Sequence, residues 1–246
     1  MQVRLEGLLF DGTDAQDAKY TVELDGVAGL FGGPGVRAET VARPMAHGEY
    51  ALPLFRDVRV IRLRGLVHSD GLFNQQQDLM VLGGVLGDGA RSVLSVEAAM
   101  GSRWCRVELA DSPDIEVLVP GRVARYQLIL RATDPLLFGA PQRFYGSSVG
   151  VFHYGNAGAW PVVEVTGGRS PYTISGPGGK QFQVTQGLSV GQSHRIELKS
   201  GRVFRDGVLQ VGAVGRADTW QIPPGSPSTM SMSSGAMTVL LDDTYL

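Results

Sequence analysis

Among the residues whose types could do chemistry, the acids come first. Glycoside hydrolysis needs two carboxylates roughly 5 to 10 Å apart in a cleft. The acids that neighbour one another are Asp111, Asp114 and Glu116, and Asp242 with Asp243. Each group reads as turn or edge charge. Nucleophilic hydrolysis needs a histidine placed beside the nucleophile, and the four histidines, His47, His68, His153 and His194, stand in unlike contexts with no metal-ligand spacing. Cys105 lies between Trp104 and Arg106 in an alternating stretch with no histidine near it in sequence, the context of a small buried filler. Two glycine-rich segments invite comparison with phosphate-cradling loops. In the first, Gly26, Gly29, Gly32, Gly33 and Gly35 surround Pro34, but Val36 to Pro44 reads as extended or irregular, not as the helix that would receive the phosphate. The second, Ser175 to Lys180, lacks the hydroxyl residue after the lysine and reads as a hairpin turn. Arg59, Arg62 and Arg64 form a short basic run, read as a solvated or interface strand face with arginine stems laid along apolar surface. No catalytic, cofactor-binding or metal-binding residue is assigned.

The bulk composition agrees. Lys+Arg 22 against Asp+Glu 24 gives a formal net charge of -2, which provides no basic field for a phosphate backbone and argues against nucleic-acid binding. One cysteine permits no intrachain disulfide and no Cys-based zinc site. The N-terminal stretch MQVRLEGLLFDG alternates as a strand and not as a signal peptide. No segment reaches the roughly 20 apolar residues of a membrane span. A soluble chain, not exported by the standard route, is expected.

Glycine at 34 of 246 residues, with hydrophobic residues at 43% and charged residues at 19%, suits a β protein that turns often. Period-2 alternation marks strands at Val3–Leu5, Tyr20–Leu24, Arg56–Val67, Ser92–Glu97, Arg103–Leu109, Ile115–Val119 and Arg122–Ala132. Asp11 to Tyr20 is polar and turn-rich, and Gly26 to Gly35 is an ordered surface loop or a mobile arm. One helix is expected at about residues 70–87, capped by Ser69 or Asp70, with Leu72, Gln75/Gln76, Leu79, Leu82 and Leu86 as its inner stripe. Pro135 ends the first domain, residues 1–140, and a linker covers about 135–148.

The second domain, residues 148–246, opens with the turn Gly155-Asn156-Ala157-Gly158, where positive φ is expected, and a strand through Thr166. Further strands are expected at Tyr172–Ser175, Gln181–Val184, Leu188–Val190, His194–Lys199, Val203–Arg205, Val208–Val211 and Thr219–Ile222. Ser200-Gly201 and Asp206-Gly207 are two-residue turns, and Thr229–Met232 with Met237–Leu241 makes a closing hairpin. Short strands at this spacing indicate an antiparallel sandwich.

Taken in order, the helix, RWCRVEL, YQLILRATDPLLFG, YGNAGAWPVVEVTG, HRIELKSGRVFRDG and TWQIPPGSPSTM resemble the distal tail proteins of long, flexible-tailed (siphovirus-type) bacteriophages, best from Tyr126 onward. The resemblance implies a mainly β chain with an N-terminal β-sandwich or barrel-like domain carrying one helix and a C-terminal galectin-like antiparallel sandwich. It implies a structural virion protein without catalytic residues or cofactors, assembled in the host cytoplasm. There the N-terminal domains form a hexameric ring at the tail tip that joins the tail tube protein to the tail-tip hub or fibre protein, while the outer domains carry receptor-binding proteins. Arg59 to Arg64 and Gly29 to Gly35 are the expected ring or tube contacts. The alternative is a carbohydrate-binding module acting in host-surface adhesion. Its stacking aromatics would be Trp160, Tyr172 and Trp220, although their apolar neighbours favour core packing for Trp160 and Trp220.

Overall fold

Alternation carries most of the first unit. Val3 and Leu5 point inward from the first strand while Arg4 points out, and the same two-residue period recurs along each long strand that follows. The computed structural model describes residues 1–12, 18–99, 101–168 and 170–246, so the polar turn expected around Asp11 to Tyr20 lies largely outside the described residues. The chain divides into Met1–Leu137 with Leu246, and Phe138–Tyr245.

The first unit comprises β1 (Gln2–Leu5), β2 (Leu8–Gly12), β3 (Tyr20–Ala28), β4 (Val36–Ala38), β5 (Val41–Ala42), β6 (Glu49–Tyr50), β7 (Leu54–Arg56), β8 (Arg59–His68), α1 (Leu72–Gly83), β9 (Ser92–Ala98), β10 (Gly101–Leu109), β11 (Asp114–Val119) and β12 (Val123–Ala132). Strands β12-β8-β3-β2-β1-β9-β10 are neighbours in that order, and β10 pairs back to β12, so seven strands close a barrel. Strands β2 and β3 pair in parallel. Inside lie Val3, Leu5, Phe10, Leu63, Val96 and Leu128, with Tyr126 among them. The Tyr126 hydroxyl donates to the Thr21 carbonyl at 3.0 Å, and its ring lies 5.5 Å from that of Phe10. Opposite Tyr126 on β8 stands Gly65, where a Cβ would come within 1.7 Å of the Thr21 carbonyl oxygen.

The helix is shorter than expected, and its inner stripe is met in part. It starts after Gly71, which has φ 91° and makes no side-chain cap, so neither Ser69 nor Asp70 caps it. Of the expected stripe, Gln75, Leu82 and Leu86 are buried and Leu79 is half-buried, while Leu72 and Gln76 are exposed and Asp78 joins the inner face. None of the helices among the described residues is long and apolar enough to cross a membrane.

The second unit comprises β13 (Leu137–Gly146), β14 (Ser148–Val151), β15 (Val162–Thr166), β16 (Tyr172–Ser175), β17 (Gln181–Val184), β18 (Ser193–Glu197), β19 (Arg202–Arg205), β20 (Val208–Leu209), β21 (Val214–Ala217), β22 (Ser228–Met232) and β23 (Met237–Tyr245), with a 3₁₀ turn at Pro177–Gly179. Two sheets, β13-β23-β15-β18-β19-β20 and β14-β22-β16-β17-β21, share one core in which Val163, Ile196 and Val239 meet Ile174, Phe182 and Met230.

Six expectations are corrected by the structure. The stretch read as a linker contains β13. Leu188–Val190 and Thr219–Ile222 are not strands, although Ile222 bridges to Ala159 and Trp220 is buried. The turn between β18 and β19 spans four residues, Leu198 to Gly201, because Glu197 pairs with Arg202. Strands β22 and β23 lie in different sheets and form no hairpin. In the turn at 155–158 no residue has positive φ. Gly155 is required there by close approach, since a Cβ would stand 1.9 Å from the Thr244 carbonyl oxygen.

Candidate assembly surfaces

Every residue from Gly35 to Val58 is exposed. The segment is a hairpin: β4 pairs with β7 (Val36↔Arg56, Arg37↔Phe55, Ala38↔Leu54) and β5 with β6 (Val41↔Tyr50, Ala42↔Glu49). The tip turns through Met45 and Gly48, both at positive φ, and the Arg43 guanidinium lies 5.7 Å over the Tyr50 ring. Apolar side chains run along it without cover; Leu54 is 67% exposed and Phe55 56%. An isolated two-stranded ribbon is marginal in water and buries too little to hold itself, and a contiguous apolar surface of this kind marks a contact site.

The root of this arm is fixed by Arg59. Its place in β8 points the side chain inward beside Ile61 and Leu63, leaving it 1% exposed. It therefore does not share a face with Arg62, which is exposed, or with Arg64, which pairs with Glu23 and Asp25 at 2.8 Å over the bulge in β3. Nη1 of Arg59 donates to the carbonyls of Gly29 (2.9 Å), Leu30 (2.8 Å) and Gly32 (2.7 Å), and Nε donates to that of Pro135 (2.8 Å). Burial lowers its pKa below the ordinary guanidinium value, and burial likewise pushes the Cys105 thiol near it up to about 11. That thiol stays protonated and unreactive at neutral pH. Carbonyl oxygens thus converge on a cation in the glycine loop, the reverse of a phosphate cradle, whose N–H groups would point at an anion. Arg56 adds a bond to the Pro34 carbonyl at 3.3 Å, and the Asp57 amide donates to Gly35 at 2.8 Å. Gly26 belongs to β3 and not to the loop.

A second uncovered surface lies on α1. Asp78 accepts from Lys19 Nζ (2.8 Å) and Ser69 Oγ (2.7 Å), and Tyr20 donates to the Asp78 carbonyl (3.2 Å). Gln75 donates to the Val119 carbonyl (3.2 Å) and accepts from the Gly121 amide (2.8 Å). These bonds fix the rotation of the helix and turn Leu72, Phe73, Met80 and Val81 outward.

The residues weighed for chemistry do not converge. His47 sits in the arm tip, His68 contacts Thr21 Oγ1 at 3.3 Å, and His153 and His194 are buried. His153 accepts the Gly155 amide at Nδ1 (3.1 Å), which leaves Nε2–H to donate to the Ile222 carbonyl (3.2 Å). Nδ1 of His194 shares a 2.9 Å hydrogen bond with the Tyr172 hydroxyl, and Arg205 approaches its Nε2 at 3.5 Å. Burial and this guanidinium lower the His194 pKa. Asp111, Asp114 and Glu116 are exposed. Asp243 accepts from Gln142 (2.7 Å) and the Tyr154 amide (2.8 Å), and burial beside it raises the Asp242 carboxyl. No cluster of three or more metal-ligating side chains occurs among the described residues. Tyr172 and Trp220 are buried, the latter where a Gly176 Cβ would strike its ring at 2.3 Å, and Trp160 packs half-buried on the core. Neither Tyr172 nor Trp220 presents an open face for stacking a sugar. The arm and the outer face of α1 escaped sequence reading. A run of short apolar pairs broken by Pro44 and Pro53 was the only signal for the arm.

No protein-family model and no curated protein matches the chain. Among solved structures the fold is similar to that of the SPP1 Dit (gp 19.1) protein, described as a paradigm of the hub adsorption apparatus in phages infecting Gram-positive hosts: TM-score 0.73 at 14% identity, covering 89% of this chain and 92% of that one. A chain of the phage p2 baseplate in its activated conformation with Sr matches at TM-score 0.56 and 9% identity, over 97% and 96% of the two chains. A chain of the phage P2 baseplate with Ca gives 0.51 and 9%, over 93% and 95%. The resemblance to distal tail proteins is met at the level of the fold, and the chain is mainly β as expected.

Proposed function

We propose that this chain is a structural component of a bacteriophage tail tip, a distal tail protein in which six copies close a ring through their first units. The ring joins the tail tube to the tail-tip hub or fibre, and the second unit, likened to a galectin sandwich, carries receptor-binding components. The protein would work in the virion after assembly in the host cytoplasm, and no chemical step is assigned to it. Likeness of fold along nearly the whole chain supports the reading.

The observation that carries it is the arm. Its root is pinned by Arg59 and Arg56, and its length is apolar and uncovered. A segment so anchored and so exposed gains stability only against another surface. The test is light scattering and negative-stain imaging of the full chain and of a variant in which a short Gly-Ser link replaces residues 36–56. Rings are expected from the full chain, and monomers with an unchanged barrel melting transition from the variant. A full chain that stays monomeric at high concentration and is retained on a glycan column would overturn the reading in favour of the adhesion module.

A further inference from the structure

We propose that the arm of one copy docks on the outer face of α1 of a second copy, with the adjoining edge of β11 completing the receiving surface. The proposal rests on the ring reading above and names the surface that closes it.

A helix lying on a barrel needs one inward face, and α1 has, besides that face of Gln75, Asp78 and Leu82, a second one that is apolar. The inner one is used. The outer one, with Phe73 at 70% and Met80 at 77% exposure, is left uncovered by the described residues of its own chain. It continues past the helix N-terminus: Gly71 N donates to the Gly121 carbonyl at 2.9 Å, and Gln75 holds Val119 and Gly121, so the exposed Leu118 and Val119 adjoin Leu72. Strand β11 pairs only with β12 among the described residues, which leaves its outer edge open to hydrogen-bond a strand of the ribbon.

Charge favours the same pairing. Residues 36–56 carry Arg37, Arg43 and Arg56 against Glu39 and Glu49, a net +1, while residues 69–89 expose Asp70 and Asp88 with no Lys or Arg, the third acid, Asp78, being buried and paired with Lys19. The two surfaces differ, so their contact is heterologous: each copy gives an arm and receives one, and the chain of contacts ends only by closing on itself. Contact of arm with arm would stop at a dimer.

The test places one cysteine on the arm (at Val41, Leu54 or Phe55) and one on the helix (Phe73→Cys or Met80→Cys) in the same chain, with mild oxidation and non-reducing electrophoresis. Cys105 is buried and does not interfere. At least one pair should give a ladder rising to the full ring, because a disulfide requires Cα atoms within about 7 Å, while each single-cysteine variant gives none. In parallel, the exposed change Met80→Asp should abolish rings without moving the melting temperature. Rings that persist in Met80→Asp and Phe73→Asp, with no cross-linked pair, overturn the α1 assignment and leave the ring reading standing. Dimers from Phe55→Cys alone would show arm-to-arm pairing and overturn it too. A wild-type chain that stays monomeric at every concentration overturns both.

Discussion

Tyr126 and Gly65 face each other across β12 and β8, and the phenol occupies the space a side chain at 65 would need. Replacing Gly65 by Ala forces the backbone apart at the Thr21 carbonyl and should lower the stability of the first unit by about 3 kcal/mol, read as a shifted urea midpoint at unchanged slope. Tyr126→Phe loses only the bond to Thr21 and should cost about 1 to 2 kcal/mol. Alternation alone placed Tyr126 inside. It gave no hint that Arg59 is also inside, because a buried guanidinium without an acid runs against ordinary burial preferences. Its partners are carbonyls 27 to 30 residues before it and 76 after it, invisible to any local pattern. A third residue gives a pH prediction. The folded pKa of His194 is depressed, by burial first and by Arg205 second, below its ordinary value of about 6.5. The unfolded chain therefore binds the proton first as pH falls, and stability present above about pH 6.5 declines below it. Denaturation of the second unit between pH 7.5 and 5.5, followed by the fluorescence of Trp160 and Trp220 in a Trp104→Phe background, should show a falling midpoint, and His194→Gln should flatten the slope.

The α1 helix depends on two polar residues as much as on Leu82. Asp78→Ala removes the acceptor of Ser69 and Lys19 and should destabilise the first unit by about 2 kcal/mol, most of it through Ser69 because Lys19 is largely exposed. Lys19→Ala should therefore cost less than about 1 kcal/mol, and chemical denaturation of the pair of variants separates the two. The helix and most of its inner face could be read from the 3.6-residue period, since Gln75, Leu82 and Leu86 of the expected stripe are buried. Apolar residues recur on both sides, so Leu72 fitted that stripe as well as Leu82 did, while Asp78 on the buried face is a residue that no hydrophobic pattern selects. The turn at Gly155 was readable for a related reason and misread in its cause. Glycine signalled a turn, yet what excludes a side chain is Thr244, 89 residues later in the chain. Strand β13 was missed because Gly139, Pro141 and Gln142 break its alternation.

Each of the two units has the buried apolar set that independent folding requires: the barrel interior around Tyr126 in the first, and the shared sandwich core around Phe182 and Trp220 in the second. Assembly, on the reading proposed here, belongs to the first unit alone, since both the arm and α1 lie within Met1–Leu137. These two statements give a joint expectation for fragments. A chain of residues 1–137 should fold and form rings of the same copy number as the full protein, and a chain beginning at Asp134 and running to Leu246 should fold and remain monomeric. Calorimetry of the full chain should then resolve two transitions, with the acid sensitivity of His194 confined to the one that the C-terminal fragment reproduces. Loss of rings in the 1–137 fragment, despite a native circular dichroism spectrum, would transfer part of the ring contact to the second unit. A single cooperative transition that neither fragment reproduces would remove the division on which the assignment of assembly to the arm depends.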